Sequence, residues 1–167
     1  MQLRSLLVAA LVALPLACGR TDTAGSHATI GHVSDGDTIV LADGRHVRLV
    51  QLDAPEREGE CYGQEATRVL TRLLTEGTRV ELESDPALDG IDRFGRTLAY
   101  VRKDRVDVNL ELVRQGAAAP YFFHGDRGRY AAQFLQAAQQ AKQDHRGLWG
   151  ACPRTVLDPF HAVDARP

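Results

Sequence analysis

The sequence predicts an α+β domain in which five short strands form a partly open β-barrel with three helices on its outside. Short runs rich in Val, Ile and Leu, separated by Asp-Gly turns, predict the first strands. Amphipathic runs at helical spacing, one between strands and two after them, predict the helices. With 167 residues, of which 44% are hydrophobic, the chain can form one domain with a single core and short appendages.

The first half of the domain has the pattern of three strands and a helix. Residues 28–34, 37–42 and 46–52 are apolar runs, and the turn signals SDG and ADGR separate them into a meander. Residues 62–76 place apolar side chains at helical spacing, and Gly77 ends this predicted helix.

The second half predicts two strands followed by two helices. The strands are TRVELE, residues 78–83, and RTLAYV, residues 96–101, with the turn-rich segment SDPALDGIDRFG between them. The helices cover residues 108–116, which end at a glycine, and the longer amphipathic run 130–145.

Residues 1–17 have the pattern of an export signal. Arg4 precedes an apolar run that is shorter than the roughly 20 residues needed to span a bilayer. The ending LPLAC resembles the lipobox of bacterial lipoproteins, although Pro15 stands where that motif prefers Leu. We therefore expect lipidation of Cys18 and a membrane-anchored protein facing the periplasm or cell exterior. Simple secretion and a retained anchor remain open.

The predicted signal divides the rest of the chain into three parts. Residues 18–27 form a lipidated cysteine and a small, polar tether, residues 28–152 the folded domain, and residues 153–167 a C-terminal tail. Export to an oxidising compartment favours a disulfide between Cys61 and Cys152, with two free thiols as the alternative. This bridge would clamp the C-terminus near the charged stretch that precedes Cys61.

The charge balance argues against a protein that coats nucleic acid. The formal net charge is −2, and removal of Arg4 with the signal makes it one unit more negative. Proteins that bind nucleic acid tightly and without specificity are usually basic. The chain could still act on a polyanion if its positive charge is local.

Three short segments could carry chemistry. In SDGDT, Asp35 and Asp37 flank a glycine that lets both carboxylates point near one place, although Asp-Gly is also a hairpin turn signal. In VRLVQLDAPERE, residues 47–58, a strand contains Arg48 and ends at Asp53 and Glu56. Strict alternation puts Arg48 and Asp53 on opposite faces, so they can converge only if the strand bends.

Other interpretations of these charges remain open at this point. Pro55 makes a bend plausible, but Arg48 could be a surface arginine and PERE a solvated charge run. In DRFGR, Gly95 lets the backbone swing so that Arg96 projects at the mouth of a strand, or Arg96 forms a cross-strand surface salt bridge. Taken together, carboxylates that bind a hard cation and arginines that clamp a phosphate suit phosphodiester hydrolysis.

The segments DGDT, RLVQLDAPE, YGQEA, DRFGRTLAYV, VNLELVRQGAA and GLW occur in this order over roughly residues 28–150. In sequence and order they resemble the staphylococcal nuclease (thermonuclease) family. The resemblance implies an OB-fold barrel with three helices and a calcium-dependent enzyme that cuts DNA and RNA. It further implies 3′-phosphate and 5′-hydroxyl ends, a preference for single strands, and a monomer.

The resemblance also implies roles for single residues. Asp37 and Asp53 match calcium-binding aspartates, and the backbone carbonyl of Ala54 matches a third calcium ligand. Glu56 matches the general base. Two arginines, Arg48 and Arg96, match phosphate-binding residues.

Further positions match residues around this centre. Asp35 is expected to support the calcium ligands without contacting the metal, and Tyr121 and Phe123 to line a nucleotide pocket. Phe94 and Phe123 stand where the family often has tyrosine, so the difference is expected to affect substrate affinity more than chemistry. The alternative function is a non-catalytic OB-fold lipoprotein that binds nucleic acid. Histidine ligation of zinc is not expected, because the six histidines show no paired spacing.

Overall fold

A computed structural model describes residues 25–166 of the chain. The predicted signal, Cys18 and most of the predicted tether lie outside these residues. Within the described part, no helix is long and apolar enough to cross a membrane.

Residues 25–166 contain eight strands, four α-helices and one 3-10 turn. The strands are β1 Ser26–Val33, β2 Thr38–Leu41, β3 His46–Leu49, β4 Leu52–Asp53, β5 Arg79–Glu83, β6 Thr97–Lys103, β7 Val106–Asp107 and β8 Ala119–Pro120. The helices are α1 Gly63–Leu73, α2 Val108–Arg114, α3 Ala131–Gln143 and α4 Leu148–Ala151, and the 3-10 turn is Phe123–Gly125.

Five of the strands form a closed barrel. They pair antiparallel in the order β3-β2-β1-β5-β6, and a parallel pairing of β3 with β6 joins the two ends. The predicted five-stranded OB-fold barrel with external helices is therefore confirmed. The barrel is closed rather than partly open because Val47 pairs with Thr97 and Leu49 with Ala99.

The strand alternation fills the barrel with apolar side chains. In β3, Val47 and Leu49 are fully buried, whereas His46 is exposed and Arg48 is half-buried. The helices cover the outside with one face each, as in α1, where Ala66, Val69 and Leu70 are buried at helical spacing.

Several boundaries differ from the sequence-based prediction. Strand β1 begins at Ser26, so it includes the last two residues of the predicted tether and pairs them with β5. The run predicted as one strand over 46–52 is interrupted at Val50 and Gln51, with β3 before and β4 after. Helix α4 was not predicted, although the motif GLW lies at its start.

The predicted disulfide between Cys61 and Cys152 is present, with the two Cα atoms 6.0 Å apart. It joins the segment before α1 to the end of α4, beside a small apolar cluster that includes Leu148 and Trp149. The chain beyond the disulfide, residues 153–166, returns across the domain, and we call it the C-terminal strap. Phe122 N–H donates to Pro159 O at 2.7 Å.

Candidate active site

A bend between β3 and β4 brings Arg48 and Asp53 together. Val50 and Gln51 form a turn, and Gln51 has a φ of 63°, a left-handed conformation that is uncommon for a residue with a side chain. As a result Arg48 Nη2 lies 2.7 Å from Asp53 Oδ1, five residues on. The convergence that simple alternation forbids is therefore achieved, and the bend precedes Pro55.

Buried amide side chains hold this bend in place. Asn109 is fully buried at the start of α2, and its Nδ2 donates to Val50 O at 3.1 Å and Ala99 O at 3.2 Å. The side-chain oxygen of Gln51 accepts from Gly128 N–H at 2.8 Å, and its amide nitrogen donates to Asp126 O at 3.1 Å. The bond to Val50 O satisfies a carbonyl that the bend would otherwise leave unpaired, and the two bonds of Gln51 join the bend to the segment 126–128.

Arg48 lies between the two candidate metal-binding carboxylates. Its Nη2 is 2.9 Å from Asp37 Oδ2 and 2.7 Å from Asp53 Oδ1. Its Nη1 donates to the carbonyl oxygens of Leu49 and Leu52 at 2.8 and 2.9 Å. The sequence predicts that Arg48 faces a phosphate, whereas here its terminal nitrogens contact protein oxygens.

Asp37 is held by a tight turn and is 8% exposed. Its N–H donates to Asp35 Oδ1 at 3.1 Å, so Asp35 supports the turn that carries Asp37. Gly36 allows β4 to approach closely, because a Cβ there would lie 2.6 Å from Ala54 Cβ. Ala54 N–H then donates to Asp37 Oδ2 at 3.1 Å.

Burial makes both carboxylates costly to ionise in the absence of a cation. Desolvation raises the pKa of Asp37 to about 7, although the charge of Arg48 opposes this. Desolvation also raises the pKa of Asp53, while Arg48 and the Val163 N–H lower it. Asp53 Oδ2 accepts the Val163 N–H at 2.9 Å, a contact from the C-terminal strap.

These groups fit a hard divalent cation. One oxygen from Asp37 and one from Asp53 converge on a single cationic nitrogen, which shows that their geometry suits a positive charge. Both are carboxylate oxygens, the ligand type that calcium prefers, and Ala54 follows Asp53 directly. Within residues 25–166, no cluster of three or more His, Cys, Asp and Glu side chains is arranged to hold a metal. The candidate charged ligands are therefore the two carboxylates of Asp37 and Asp53.

Arg96 lies at the entrance of β6 and is positioned by the DRFGR turn. Asp92 Oδ1 accepts the backbone N–H groups of Phe94 and Arg96, and Asp92 Oδ2 accepts from Arg96 Nε at 2.7 Å. Arg96 therefore does form a salt bridge, but with Asp92 inside its own turn and not across strands. No hydrogen bond among the described residues uses the two terminal nitrogens of Arg96, which leaves them available to a ligand.

One open cavity of about 800 Å³ brings the predicted residues together. Its lining includes every residue predicted for the metal, the chemistry and the nucleotide: Asp35, Asp37, Arg48, Asp53, Ala54, Glu56, Arg96, Tyr121 and Phe123. Glu56 is exposed at its rim, and Gly63 at the start of α1 lets the Glu56 backbone pack against the helix without a clash.

Aromatic side chains also line the cavity: Phe94, Tyr121 and Phe123. Tyr121 is half-buried, and its ring centroid lies 6.2 Å from that of Phe123. Phe123 is 52% exposed and Phe94 is 68% exposed, with the guanidinium of Arg93 4.7 Å from the Phe94 ring centroid. Exposed rings beside cations are suited to stacking on nucleotide bases.

Sequence reasoning missed three groups that hold the site. Gln51 and Asn109 position the bend, and a polar residue within an apolar run was the available signal for each. Val163 contacts Asp53 through its backbone N–H, so its side chain carries no signal of this contact.

Comparison with known proteins identifies relatives over most of the chain. The family described as "Staphylococcal nuclease homologue" matches residues 46–151. The thermonuclease of Staphylococcus intermedius is 31% identical over 144 residues, which cover 81% of this chain and 83% of that protein.

Two bacterial endonucleases are also similar. The "Uncharacterized endonuclease" of Haemophilus influenzae is 37% identical over 121 residues, and endonuclease YncB of Bacillus subtilis is 33% identical over 129 residues. These matches cover 70% and 72% of this chain but only 62% and 60% of the respective relatives. The matched range and the closed barrel together show that the chain belongs to the staphylococcal nuclease family.

Proposed function

We propose that this protein is an exported, calcium-dependent nuclease that hydrolyses phosphodiester bonds in DNA, RNA or both. The observation that carries the proposal is the convergence of two carboxylates and Arg48 at a strand bend, with Arg96 in the same cavity. The thermonuclease and endonuclease relatives support the same reaction class.

The calcium ion would be held by the Asp37 and Asp53 carboxylates and the Ala54 carbonyl oxygen. Bound there, calcium would neutralise phosphate charge and favour ionisation of a nearby water. Because the protein supplies only these three ligands, water and phosphate oxygens must complete the shell. Affinity for calcium without substrate is therefore expected to be weak.

The side chains divide the remaining work. Glu56, exposed at the rim, takes the proton from the attacking water. Arg96 donates to the phosphate oxygens through its free terminal nitrogens and stabilises the charge that develops at phosphorus. Arg48 is proposed as the second phosphate-binding arginine, and it must exchange its carboxylate contacts for phosphate oxygens to act in this way.

The attack would form a bond between the water oxygen and phosphorus and break the bond to the 5′ oxygen. The products are then a 3′-phosphate end and a 5′-hydroxyl end. Tyr121, Phe123 and Phe94 would stack on unpaired bases, so single strands are the expected preferred substrate. We further propose a monomer that Cys18 anchors to a membrane through lipid.

The decisive experiment incubates single-stranded DNA, labelled at either end, with the protein in calcium or in chelator. Calcium-dependent cleavage is expected, and Arg96→Ala should reduce its rate by roughly 10²–10³-fold, as for other charge-stabilising donors. Arg105→Ala removes an exposed arginine outside the cavity and should cleave normally. Binding without cleavage at millimolar calcium would refute the enzyme and favour the non-catalytic nucleic-acid-binding lipoprotein.

The anchor has a separate test. Wild-type protein expressed with its own N-terminus should partition into detergent extracts of the membrane fraction, and Cys18→Ala protein should not. A Cys18→Ala protein that stays in the membrane fraction would argue against lipidation.

A further inference from the structure

The C-terminal strap lies beyond the region that matches the family, which ends at residue 151. It is nevertheless tied to the domain at three places along its length. Phe122 N–H donates to Pro159 O, Val163 N–H donates to Asp53 Oδ2, and Cys61 N–H donates to Ala165 O. These bonds span 2.7, 2.9 and 2.7 Å respectively, and the bond to Asp53 brings the strap into contact with a residue of the candidate active site.

The strap is also anchored by burial. Ala165 is fully buried, and Val163 packs against the cluster that contains Trp149 and the disulfide residue Cys152. The disulfide fixes the start of the strap, and the bond from Cys61 fixes its end, so both anchors involve the same cystine. Between these anchors the position of the Val163 N–H is determined by the fold.

Because of the contact with Val163, the two carboxylate oxygens of Asp53 have different partners. Oδ2 accepts the Val163 N–H, whereas Oδ1 contacts Arg48 and faces the oxygen of Asp37 that contacts the same nitrogen. A carboxylate with one oxygen occupied by a backbone donor cannot rotate freely and presents its other oxygen in a defined direction. A hydrogen bond to a charged acceptor stabilises such an arrangement more than a neutral one does.

We propose that the C-terminal strap is a built-in part of the metal site, in which Val163 is a positioning residue. Its N–H holds Asp53 so that only Oδ1 is presented to calcium, together with Asp37 Oδ2. This inference rests on the calcium site of the proposed function and adds a residue outside the matched family region. It does not require any side chain at residue 163, because the donor belongs to the backbone.

The test removes the donor and keeps the strap. Val163→Pro lacks the N–H, and Ala162→Pro is the matched control, since the Ala162 N–H makes no hydrogen bond among the described residues. Calcium alone is titrated into the full chain by calorimetry, without nucleic acid. We expect Val163→Pro to bind calcium about tenfold more weakly than wild type, the scale of one hydrogen bond to a charged group. Ala162→Pro should bind like wild type.

The outcomes separate this inference from the proposed function. If wild-type protein binds no calcium even at millimolar concentration, where a weak site would also fill, the proposed metal site fails, and the inference fails with it. If wild type binds and Val163→Pro binds equally well, only the role of the strap is overturned. An equal loss of calcium affinity in both proline variants would also overturn it. Such a loss would come from a general disturbance of the strap and not from removal of the Val163 N–H.

A measurement on the unmodified chain covers the case in which Val163→Pro does not fold. In an NMR titration, the amide signal of Val163 should shift with the same calcium dependence as the amide signal of Asp53. A Val163 amide that does not respond while Asp53 responds would overturn the proposal.

Discussion

Replacing Asp37 by asparagine is expected to stabilise the calcium-free protein at neutral pH and to remove its stabilisation by calcium. Asparagine has nearly the shape of a protonated aspartate, so it mimics the form that the buried site favours. Desolvation raises the pKa of Asp37 from 3.8 to about 7 in the folded protein. The folded state therefore binds more protons than the unfolded state between about pH 4 and pH 7.

The sign and size of the effect follow from this difference. Wild-type stability falls as pH rises through that window, because the unfolded state loses its proton first. Asparagine has no proton to lose. The free energy of unfolding of the variant therefore rises relative to that of wild type until the pH exceeds about 7. Since one pKa unit is worth about 1.4 kcal/mol, the gain is about 4 kcal/mol at most. We expect about 2–4 kcal/mol at pH 8 and almost none at pH 4.

Urea unfolding in chelator from pH 4 to pH 8 measures this gain. Trp149 is the only tryptophan and is buried, so its fluorescence reports unfolding of the domain. Asp89→Asn makes the same charge change at an exposed position that lines the same cavity, and it serves as the matched control for this pH series.

A second set of unfolding curves with calcium completes the assay. Wild type and Asp89→Asn should gain stability with calcium concentration, since a ligand that binds only the folded state stabilises it. Asp37→Asn should gain little. A variant that is no more stable than wild type at pH 8, or that gains as much as wild type from calcium, would refute the reasoning about Asp37.

Three further predictions concern stability. Burial alone would raise the pKa of Glu83, but hydrogen bonds from Arg102 and Tyr130 lower it overall, so Glu83→Gln should cost roughly 1–3 kcal/mol at pH 7. That cost should shrink as pH falls below 4.5, the ordinary pKa of glutamate, and through the lower pKa of the folded protein, because wild type then also carries a protonated carboxyl; a cost that does not change with pH in urea unfolding would contradict this. Reducing the disulfide of Cys61 should lower the free energy of unfolding by up to about 4–5 kcal/mol, and identical urea curves with and without reductant would count against it. Asn109→Ala removes three buried hydrogen bonds and should destabilise by about 3–5 kcal/mol; a loss below 1 kcal/mol by the same method would show that they contribute little.

The segment 46–53 shows where sequence reasoning succeeds and where it stops. Its alternation correctly places Val47 and Leu49 in the core, because residues two apart share a face of a strand. The same rule separates Arg48 from Asp53, and only a bend can overcome it. The bend is held by Asn109, about 60 residues away, so no local pattern reveals it.

The disulfide and the strap show the same division. The oxidising compartment inferred from the N-terminal signal favours pairing Cys61 with Cys152, and the structure confirms this pair. The chain after Cys152 returns to contact Asp53, and this contact is a hydrogen bond from a backbone N–H. Any residue except proline can donate such a bond, so the amino-acid types there do not disclose it.

The sequence by itself determined the class of fold, the order of its elements and the residue types available for chemistry. Periodicity, turn residues and the burial of apolar side chains are local properties, and they can be read along the chain. Only the tertiary structure decided that β3 closes the barrel on β6, and that Arg48 lies between Asp37 and Asp53. It alone also brought Val163 to the second oxygen of Asp53. These arrangements depend on contacts between distant residues, which form when the whole core packs and the buried backbone groups find their partners.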